Sequence, residues 1–489
     1  MNALTVMIQG TTSDAGKSAM VTGFCRLFKQ MGISVAPFKP QNMALNSAVT
    51  VNGGEIGRAQ STQATACGIS PHTDMNPVLL KPNNDQGAQI IIHGKAIGNM
   101  NARDYHAFKP TAMRSVLDSY RRLCNQYDMI VVEGAGSPAE INLRQNDLAN
   151  MGFAEAVNCP VLLVADIDRG GVFAHLIGTL DILALSEQDR IKGLLINRFR
   201  GDMNLLQSGV DWIEQRSNKP VLGVIPYLQG LHLEAEDRVC RDNAANKNSD
   251  TSLQIIAPIY PRISNHTDFD PLRLHPNINL TLVGQGEAIP PADIIILPGS
   301  KNVCNDLIWL REQNWDTAIL KHLRYGGKLL GLCGGYQMLG HAIFDQYGVE
   351  TSLGTIQGLG LLEMETELKP EKRTDNVSGH ILWNHQKIRG YEIHSGVCTG
   401  AALDNPFCII NGRPDGAVSN DRQIVGTFVH GLFELDQEWL FNWTEAKTTE
   451  PFNYETLREQ AIDTLAASMK THIDIEQILK LIEQHYGQK

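Results

Sequence analysis

The chain has 489 residues, of which 43% are hydrophobic and 19% charged, a balance that excludes a mostly disordered or collagen-like protein and allows two or three domains. Its 42 basic and 53 acidic side chains give a formal net charge of −11, so we expect no general attraction to nucleic acid or to anionic membranes. An anionic substrate must therefore meet a local basic pocket.

Thiols and apolar segments predict the compartment. The nine cysteines are an odd number and include no C-x-x-C pair, which is typical of reduced thiols in a cytosolic protein. The first apolar stretch, residues 4–8, runs directly into Gly10 and is too short for a signal peptide. No apolar run approaches the roughly 18 residues that a membrane span needs. We therefore expect a cytoplasmic protein without a membrane segment.

Short runs of Val, Ile and Leu alternate with longer segments of helical character in the first half of the chain. Several of these runs are apolar on both faces, as strands of a covered parallel sheet are. The predicted strands are residues 4–9, 33–38, 90–93, 129–133, 160–165, 193–197 and 221–226. They predict a first α/β domain over residues 1–240, followed by a polar linker at 241–252 that is rich in Asn, Asp and Ser.

A second α/β series follows the linker, with predicted strands at residues 254–259, 294–297, 328–332 and 424–429. This series predicts a second domain over residues 252–445. The pattern then turns helical, with Ile475, Ile478, Leu479 and Ile482 on one face, which predicts a C-terminal helical extension over residues 446–489. The predicted fold class is α/β, with two doubly wound, mainly parallel sheets in separate domains and helices at the C-terminus.

A phosphate-binding loop is the clearest motif of the first domain. The segment GTTSDAGKS joins the first predicted strand to an apolar helix, in the order that a phosphate cradle requires. Backbone N–H groups at the helix start and the Lys17 ammonium can hold phosphates, while the Ser18 hydroxyl can ligate Mg²⁺. Five residues separate Gly10 from Gly16, one more than in the common motif, and a plain glycine turn is the alternative. The predicted nucleotide-binding residues are Gly10, Thr11, Thr12, Asp14, Ala15, Gly16, Lys17 and Ser18.

Further charged side chains follow predicted strands of the first domain. Glu133 ends an apolar strand and precedes Gly-Ala-Gly, a position where a sheet presents a magnesium ligand; a surface charge is the alternative. Lys39 follows the second strand and is expected at the same sheet edge as the phosphate loop, unless it is a solvated loop lysine. Asp166 and Asp168 are weaker candidates, because paired acids before glycines are often turn formers.

A cysteine in the second domain has the surroundings of a nucleophile. Cys333 lies between an apolar strand and an apolar helix, with Gly331 two residues before it and Gly335 two residues after it. This is the thiol counterpart of the G-x-S-x-G turn, in which small neighbours allow a strained backbone to expose the nucleophile. A buried structural cysteine is the alternative.

A cysteine nucleophile needs a base and donors for an oxyanion. His430 follows an apolar strand and is the predicted base, with His394 ranked below it. The predicted oxyanion donors are backbone N–H groups after another strand, at Gly299 and Ser300, together with that of Gly334. Gly431 and Leu432 follow His430, so neither of the two residues after it is acidic, and the base either lacks a carboxylate partner or takes another orienting group.

These motifs resemble two known groups of enzymes. The segment LCGGYQ around Cys333 and the later His430 resemble glutamine amidotransferase domains, which hydrolyse glutamine through a cysteine thioester. GTTSDAGKS, FKP at 38–40 and EGAG at 133–136 resemble the dethiobiotin synthetase group of P-loop enzymes. The resemblance implies that Cys333 is the nucleophile and His430 its base. It also implies phosphate and magnesium roles for Lys17, Ser18, Lys39 and Glu133, with Glu55 as a third metal ligand.

The two groups in this order resemble the corrinoid amidases. The segments PFKPQNMALNS, GAGSPAEINL, ADIDRGGVFA, RISNHTDFDPL and YEIHSG resemble the cobyric acid synthase family in particular. This resemblance implies ATP- and glutamine-dependent amidation of the b, d, e and g carboxylates of adenosylcobyrinic acid a,c-diamide, with Mg²⁺. The alternatives are a cobyrinic acid a,c-diamide synthase and a P-loop ATPase switch of the partitioning type. The sequence leaves the oligomeric state open.

Overall fold

The computed structural model of the protein describes residues 3–83, 87–234, 252–446 and 452–487. Of the predicted linker at 241–252, all but Ser252 lies outside these residues. The elements of the first domain are β1 (Leu4–Gly10), α1 (Lys17–Gln30), β2 (Val35–Phe38), β3 (Gln41–Met43), β4 (Ser47–Val49), β5 (Glu55–Gly57), α2 (Arg58–Cys67), β6 (Val78–Pro82), β7 (Gly87–Ile92), β8 (Lys95–Asn101), α3 (Ala102–Cys124), β9 (Met129–Glu133), α4 (Met151–Ala156), β10 (Val161–Asp166), α5 (Val172–Ile182), α6 (Leu185–Arg190), β11 (Ile191–Phe199), α7 (Met203–Ser217) and β12 (Val221–Pro226).

A six-stranded parallel sheet in the order β12-β11-β10-β1-β9-β2 forms the centre of this domain. Its strands are apolar on both faces because helices cover both, which confirms the α/β fold class. Strands β10, β11 and β12 lie on one side of β1, and β9 and β2 lie on the other. The direction in which successive strands are added to the sheet therefore reverses beside β1. Ligands bind at such reversals, beyond the carboxyl ends of the strands.

One predicted strand is placed elsewhere. Residues 90–93 fall largely in β7, which is not in the parallel sheet but pairs antiparallel with β6 and β8 in a separate four-stranded sheet. Its apolar run reflects packing against the first core, where Ile90 is fully buried. Apolar content predicted a strand correctly but could not assign it to a sheet.

The second domain contains another parallel sheet and a mixed one. Its elements are β13 (Leu253–Pro258), α8 (Asp270–Leu274), β14 (Ile278–Val283), β15 (Ile294–Leu297), α9 (Val303–Glu312), α10 (Trp315–Arg324), β16 (Lys328–Leu332), α11 (Gly334–Met338), β17 (Ala342–Phe344), β18 (Thr355–Gln357), β19 (Glu365–Ile381), β20 (Lys387–Thr399), β21 (Cys408–Ile410), β22 (Arg413–Asp415), β23 (Ala417–Val418), β24 (Ile424–Thr427) and α12 (Glu438–Thr444). The parallel sheet has the order β14-β13-β15-β16-β24-β23, in which only the edge strand β23 is antiparallel. The long hairpin of β19 and β20 belongs to the mixed sheet.

The C-terminal helices return to the first domain. They are α13 (Tyr454–His472) and α14 (Ile475–Gly487), and the Gln477 N–H bonds to the Asp474 carboxylate at the start of α14, 2.9 Å away. The apolar face of α13 packs against α1, where Met469 and Phe24 are fully buried in one cluster. The predicted extension is therefore a covering layer of the first sheet.

The two domains meet through the segment around β4. The Asn46 carboxamide oxygen accepts a hydrogen bond from the His266 N–H at 2.9 Å, and the Ser47 N–H donates to the Asn265 side chain at 2.8 Å. Asn376 of β19 donates to the carbonyl of Thr50, 2.9 Å away. Within the described part of the chain, no helix is long and apolar enough to cross a membrane.

Candidate active sites

Cys333 occupies a strained turn between β16 and α11. Its φ of 49° and ψ of −104° lie outside the regions that L-residues favour, as expected for a nucleophile turn. The Cys333 N–H is anchored to the Thr427 carbonyl of the neighbouring strand β24 at 2.8 Å. Close packing explains the small neighbours: a Cβ on Gly331 would approach the Gly335 carbonyl to 2.8 Å, and one on Gly335 would lie 2.1 Å from the Leu297 carbonyl.

His430 lies beyond the end of β24, next to the strand that carries Cys333, and is fully buried. Its Nδ1 is 2.7 Å from an oxygen of Asp268, whose other oxygen accepts the Gly431 N–H at 2.8 Å. Asp268 is therefore the orienting carboxylate, which sequence analysis missed. It lies 162 residues before His430, so no local spacing could reveal it, although it stands in the family segment RISNHTDFDPL.

The charges around His430 favour its protonated form. Burial lowers the pKa of this imidazole, but the interactions with the Asp268 carboxylate and with Cys333 outweigh burial and raise that pKa to about 10. Nε2 is buried without a hydrogen bond of ordinary geometry to any described residue, which leaves it for the Cys333 sulfur or a substrate atom. The arrangement favours an imidazolium that is oriented by Asp268 and lies beside the Cys333 sulfur.

The predicted oxyanion donors lie beside this pair. Gly299 and Ser300 follow β15, the strand on the other side of β16 from β24. A Cβ on Gly334 would lie 2.7 Å from the Ser300 amide nitrogen, and one on Gly299 would lie 2.9 Å from Cε1 of His430. The backbone around the three predicted donors is therefore packed against the turn at Cys333 and against His430.

The second histidine is placed differently. His394 stacks on Phe428 with ring centres 3.8 Å apart, and its Nδ1 is 2.8 Å from the Gly396 carbonyl. Its Nε2 faces the Glu392 carboxylate at 3.4 Å. Both nitrogens thus have partners of their own, which supports the ranking of His394 below His430.

In the first domain, the phosphate loop leaves the carboxyl end of β1. Gly16 has a φ of 98° and precedes α1, and a Cβ there would lie 2.1 Å from the Asn197 side chain, so glycine is required. Lys17 Nζ donates to the carbonyls of Thr12 at 3.0 Å and Gly136 at 2.9 Å. This lysine is therefore held over the loop, where phosphate oxygens can replace the carbonyls.

Glu133 and Lys39 meet this loop, because β1, β9 and β2 are adjacent and parallel. The Glu133 carboxylate accepts from the Ser18 hydroxyl at 2.7 Å and from Lys39 Nζ at 2.9 Å, and it also accepts from the Gln63 amide of α2. Burial raises the pKa of Glu133, but Lys39 and the hydrogen bonds outweigh burial and lower it. The structure thus brings Lys17, Ser18, Lys39 and Glu133 together at one sheet edge.

The chemistry of these groups fits a magnesium nucleotide. The Ser18 hydroxyl and the Glu133 carboxylate are hard oxygen donors, and Mg²⁺ is commonly held by one or two carboxylates together with substrate phosphates. The Thr11 hydroxyl is buried with no hydrogen-bond partner among the described residues, so a polar atom of a ligand can satisfy it. The described residues contain no group of three or more His, Cys, Asp or Glu arranged to hold a metal alone.

Several candidates have other partners. The carboxylate of Glu55, the predicted third metal ligand, is paired at 2.5 Å with Lys81 of its own domain and at 2.5 Å with Lys372 of the second. Burial raises the pKa of Glu55, but these two ammonium groups outweigh burial and hold it well below its usual range. Nothing in this geometry supports a metal role for Glu55. Asp166 and Asp168 pair with Arg198 and Arg200, both at 2.8 Å, and Asp14 faces Arg169 at 3.4 Å.

Each half of the chain matches a domain model built from known proteins. Residues 6–238 match the CobQ/CobB/MinD/ParA nucleotide-binding domain, and residues 254–438 match the CobB/CobQ-like glutamine amidotransferase domain. Solved structures that are similar include a PurLQS structure from Thermotoga maritima, with 16% identity over 44% of this chain and 98% of that chain and a TM-score of 0.30. A glutamine amidotransferase crystal structure is also similar, with 16% identity over 39% of this chain and 99% of that chain and a TM-score of 0.31. Chloroplast FtsY from Physcomitrella patens has 16% identity over 47% of this chain and 60% of that chain, with a TM-score of 0.28.

The amidotransferase match indicates an enzyme that takes glutamine as a substrate, and the other match indicates binding of a nucleotide. The chain thus contains a region similar to the CobQ/CobB/MinD/ParA nucleotide-binding domain and a region similar to CobB/CobQ-like glutamine amidotransferase domains.

Proposed function

We propose that the protein is a glutamine-hydrolysing, ATP-dependent amidase of corrinoids in cobalamin biosynthesis, of the cobyric acid synthase type. The observation that carries the proposal is the presence in one chain of two sites: a Cys333–His430–Asp268 constellation and a phosphate loop beside Glu133 and Lys39. A switch protein of the partitioning type has no use for the first site, which argues against that alternative.

The two sites have complementary chemistry. A carboxylate does not condense with ammonia in water, and ammonia near neutral pH is mostly the non-nucleophilic ammonium ion. Glutamine hydrolysis can deliver unprotonated ammonia, and a phosphoryl transfer can activate the carboxylate. Together the two sites support amide formation, which neither can carry out alone.

At the glutamine site, Cys333 Sγ attacks the side-chain amide carbon and forms a C–S bond. His430 Nε2 donates its proton to the departing nitrogen, so the C–N bond breaks and ammonia leaves. His430 then takes a proton from water as the water oxygen attacks the thioester, and the C–S bond breaks to release glutamate. Asp268 keeps the imidazole in one orientation through both steps, while N–H groups at Ser300 and Gly334 stabilise the developing oxyanion.

At the nucleotide site, Lys17 and Lys39 neutralise phosphate charge, and Ser18 and Glu133 provide oxygen ligands for Mg²⁺. ATP, when bound, supplies the phosphoryl group that turns a substrate carboxylate into an acyl phosphate, from which ammonia displaces phosphate. The residues of this site bind and orient, because phosphoryl transfer requires positioning and charge neutralisation more than covalent chemistry from the protein.

The resemblance to the cobyric acid synthase family supports adenosylcobyrinic acid a,c-diamide as the substrate, with amidation of its b, d, e and g carboxylates. The sequence contains one phosphate-loop motif and one cysteine-turn motif, so a single synthetase site serves all four carboxylates. The corrinoid therefore binds in successive orientations, or leaves and returns, and partly amidated species accumulate on the way.

A time course resolved by chromatography and mass spectrometry tests the proposal. The protein is incubated with adenosylcobyrinic acid a,c-diamide, ATP, Mg²⁺ and glutamine, and products with one, two and three added amides should rise and fall before the fourfold product. Cobyrinic acid is the matched second substrate. Amidation of cobyrinic acid at only two positions would replace this proposal with the a,c-diamide synthase, and no change in either corrinoid would refute it.

A further inference from the structure

The first residue of α2 reaches from the nucleotide-binding domain into the amidotransferase domain. Arg58 is 7% exposed, and its guanidinium is held by Glu234 at 3.0 Å and by Glu434 of the amidotransferase domain. Glu434 lies in the turn after His430, and its N–H bonds to the Gly431 carbonyl at 3.0 Å. Arg58 is thus fastened to the segment that carries the glutamine-site base.

The same guanidinium lies over an aromatic ring that stacks on the base. The Arg58 guanidinium carbon is 5.9 Å from the centre of the Tyr391 ring, which stacks on the His430 ring at 5.4 Å and 22°. Tyr391 and His430 also exchange backbone hydrogen bonds of 3.0 and 2.8 Å. The Tyr391 hydroxyl is buried with no hydrogen-bond partner among the described residues, so ring contacts and backbone hold this side chain.

The turn that carries Asp268 is also held from the nucleotide-binding domain. Asn46 accepts from the His266 N–H at 2.9 Å, and its amide nitrogen lies 2.5 Å from His266 Nε2. Burial, the larger effect, and the charge of Arg273 lower the pKa of His266 to about 4, so its neutral ring can accept that hydrogen bond. Two neighbours of His430, the turn that carries Asp268 and the ring of Tyr391, are therefore both contacted by residues of the nucleotide-binding domain.

Helix α2 contacts the nucleotide site as well. Gln63, one and a half turns after Arg58, is fully buried and donates from its amide to the Glu133 carboxylate. Helix α2 therefore contacts Glu133, the candidate magnesium ligand, through Gln63. Through Arg58 it contacts Tyr391, which stacks on His430. A base displaced by about 1 Å can lose on the order of 10²-fold in rate, so such support has a kinetic consequence.

We propose that Arg58 is a positioning residue for His430, so that the nucleotide-binding domain completes the glutamine-hydrolysing site through the Arg58–Tyr391–His430 stack. This inference rests on the glutamine-hydrolysing half of the proposed function only and is independent of which carboxylate is amidated. Arg58 touches neither glutamine nor the thiol in this assignment; it acts through the ring of Tyr391 and the carboxylate of Glu434.

The test measures glutamate release from glutamine by the full chain, with active sites counted by alkylation of Cys333. Arg58→Gln should lower kcat by about tenfold or more, with KM for glutamine within about twofold of the wild type. Tyr391→Leu should do the same, and the double variant should lose little beyond either single one, because both changes remove one stack. Arg58→Lys keeps the charge but not the planar group, so its kcat should lie between those of the wild type and Arg58→Gln. It also provides a second variant if Arg58→Gln fails to fold.

Arg26→Gln is the matched control. Arg26 is an equally buried arginine of the same domain, and it pairs with Glu459 and Asp463 of α13, away from the glutamine site. Its loss should lower thermal stability without changing kcat per active site. An unchanged kcat in Arg58→Gln, a rise in KM alone, or independent losses in the double variant would each overturn the proposal. A wild type that hydrolyses glutamine but alters no corrinoid would refute the proposed substrate while leaving this test intact.

Discussion

In the proposed mechanism Cys333 and Lys17 serve different half-reactions, so their substitutions should separate the two. We expect Cys333→Ser to abolish glutamine-supported amidation and to keep amidation supported by ammonium salts, because only nitrogen delivery uses the thiol. Lys17→Ala should lose both, since neither nitrogen source can replace the activated carboxylate. Product formation with each nitrogen source, measured side by side, checks this pair. Equal loss of both activities in a folded Cys333→Ser would show that the thiol does more than hydrolyse glutamine.

Asp268 is expected to control the pH dependence of glutamine hydrolysis. Its charge helps to raise the pKa of His430 to about 10, and in the proposed mechanism the imidazolium is the acid that protonates the leaving nitrogen. In Asp268→Asn that pKa falls, so the alkaline limb of the kcat/KM profile should move to lower pH, and kcat should fall by about 10²-fold or more. Glutamate release measured from pH 6 to 11 checks both. An alkaline limb in the wild-type position would contradict the assignment of Asp268.

At the scale of elements, the thiol turn depends on how closely strand β15 and helix α11 approach. A Cβ at Gly334 would lie 2.7 Å from the Ser300 amide nitrogen, closer than real contacts allow. We therefore expect Gly334→Ala to displace this oxyanion donor and to lower kcat for glutamine by up to about 10²-fold, the cost of losing one such donor.

Glutamate release and circular dichroism, recorded together, check the effect of Gly334→Ala. Gly178→Ala is the control: it lies inside α5 with nothing within 4 Å of the added Cβ, and it should change neither the rate nor the spectrum. A normal rate in folded Gly334→Ala would mean that the Ser300 amide is not a donor.

At the scale of the whole molecule, the last helices stabilise the first domain. Met469 of α13 is fully buried against α1, so Met469→Ala should lower the free energy of unfolding by about 2–5 kcal/mol. Lys470→Ala, on the exposed side of the same helix, should change it by less than about 0.5 kcal/mol. Hydrogen exchange locates the effect: protection should fall in α1 and β12 and stay constant in α9 and α10. Faster exchange confined to the amidotransferase domain would contradict this docking.

The α2 contacts belong to the same scale, because they join sites in different domains. The helix itself is short, and nothing in its composition marks Arg58 or Gln63 as special. Their proposed roles come from their contacts with Glu434, Tyr391 and Glu133, which lie in three distant parts of the chain. The interface is therefore part of the chemistry of the glutamine site in our proposal.

Local sequence was sufficient for the α/β fold class and for the motifs themselves. Strands apolar on both faces, the loop before Lys17 and the glycines around Cys333 are short-range patterns, and each reflects a constraint within a few residues. Parallel strands then bring their carboxyl ends to one edge, which is why Glu133 and Lys39 met the loop as predicted.

Only the tertiary structure decided the partners that come from far along the chain. It brought the Asp268 carboxylate to His430, paired Glu55 with two lysines, placed most of residues 90–93 in a separate mixed sheet and packed α13 against the first domain. No spacing in the sequence encodes such contacts, because they depend on which strands become neighbours and how the two domains pack. The residue types in the motifs predicted the kind of chemistry, and the packing determined which of these residues lie close enough to act together.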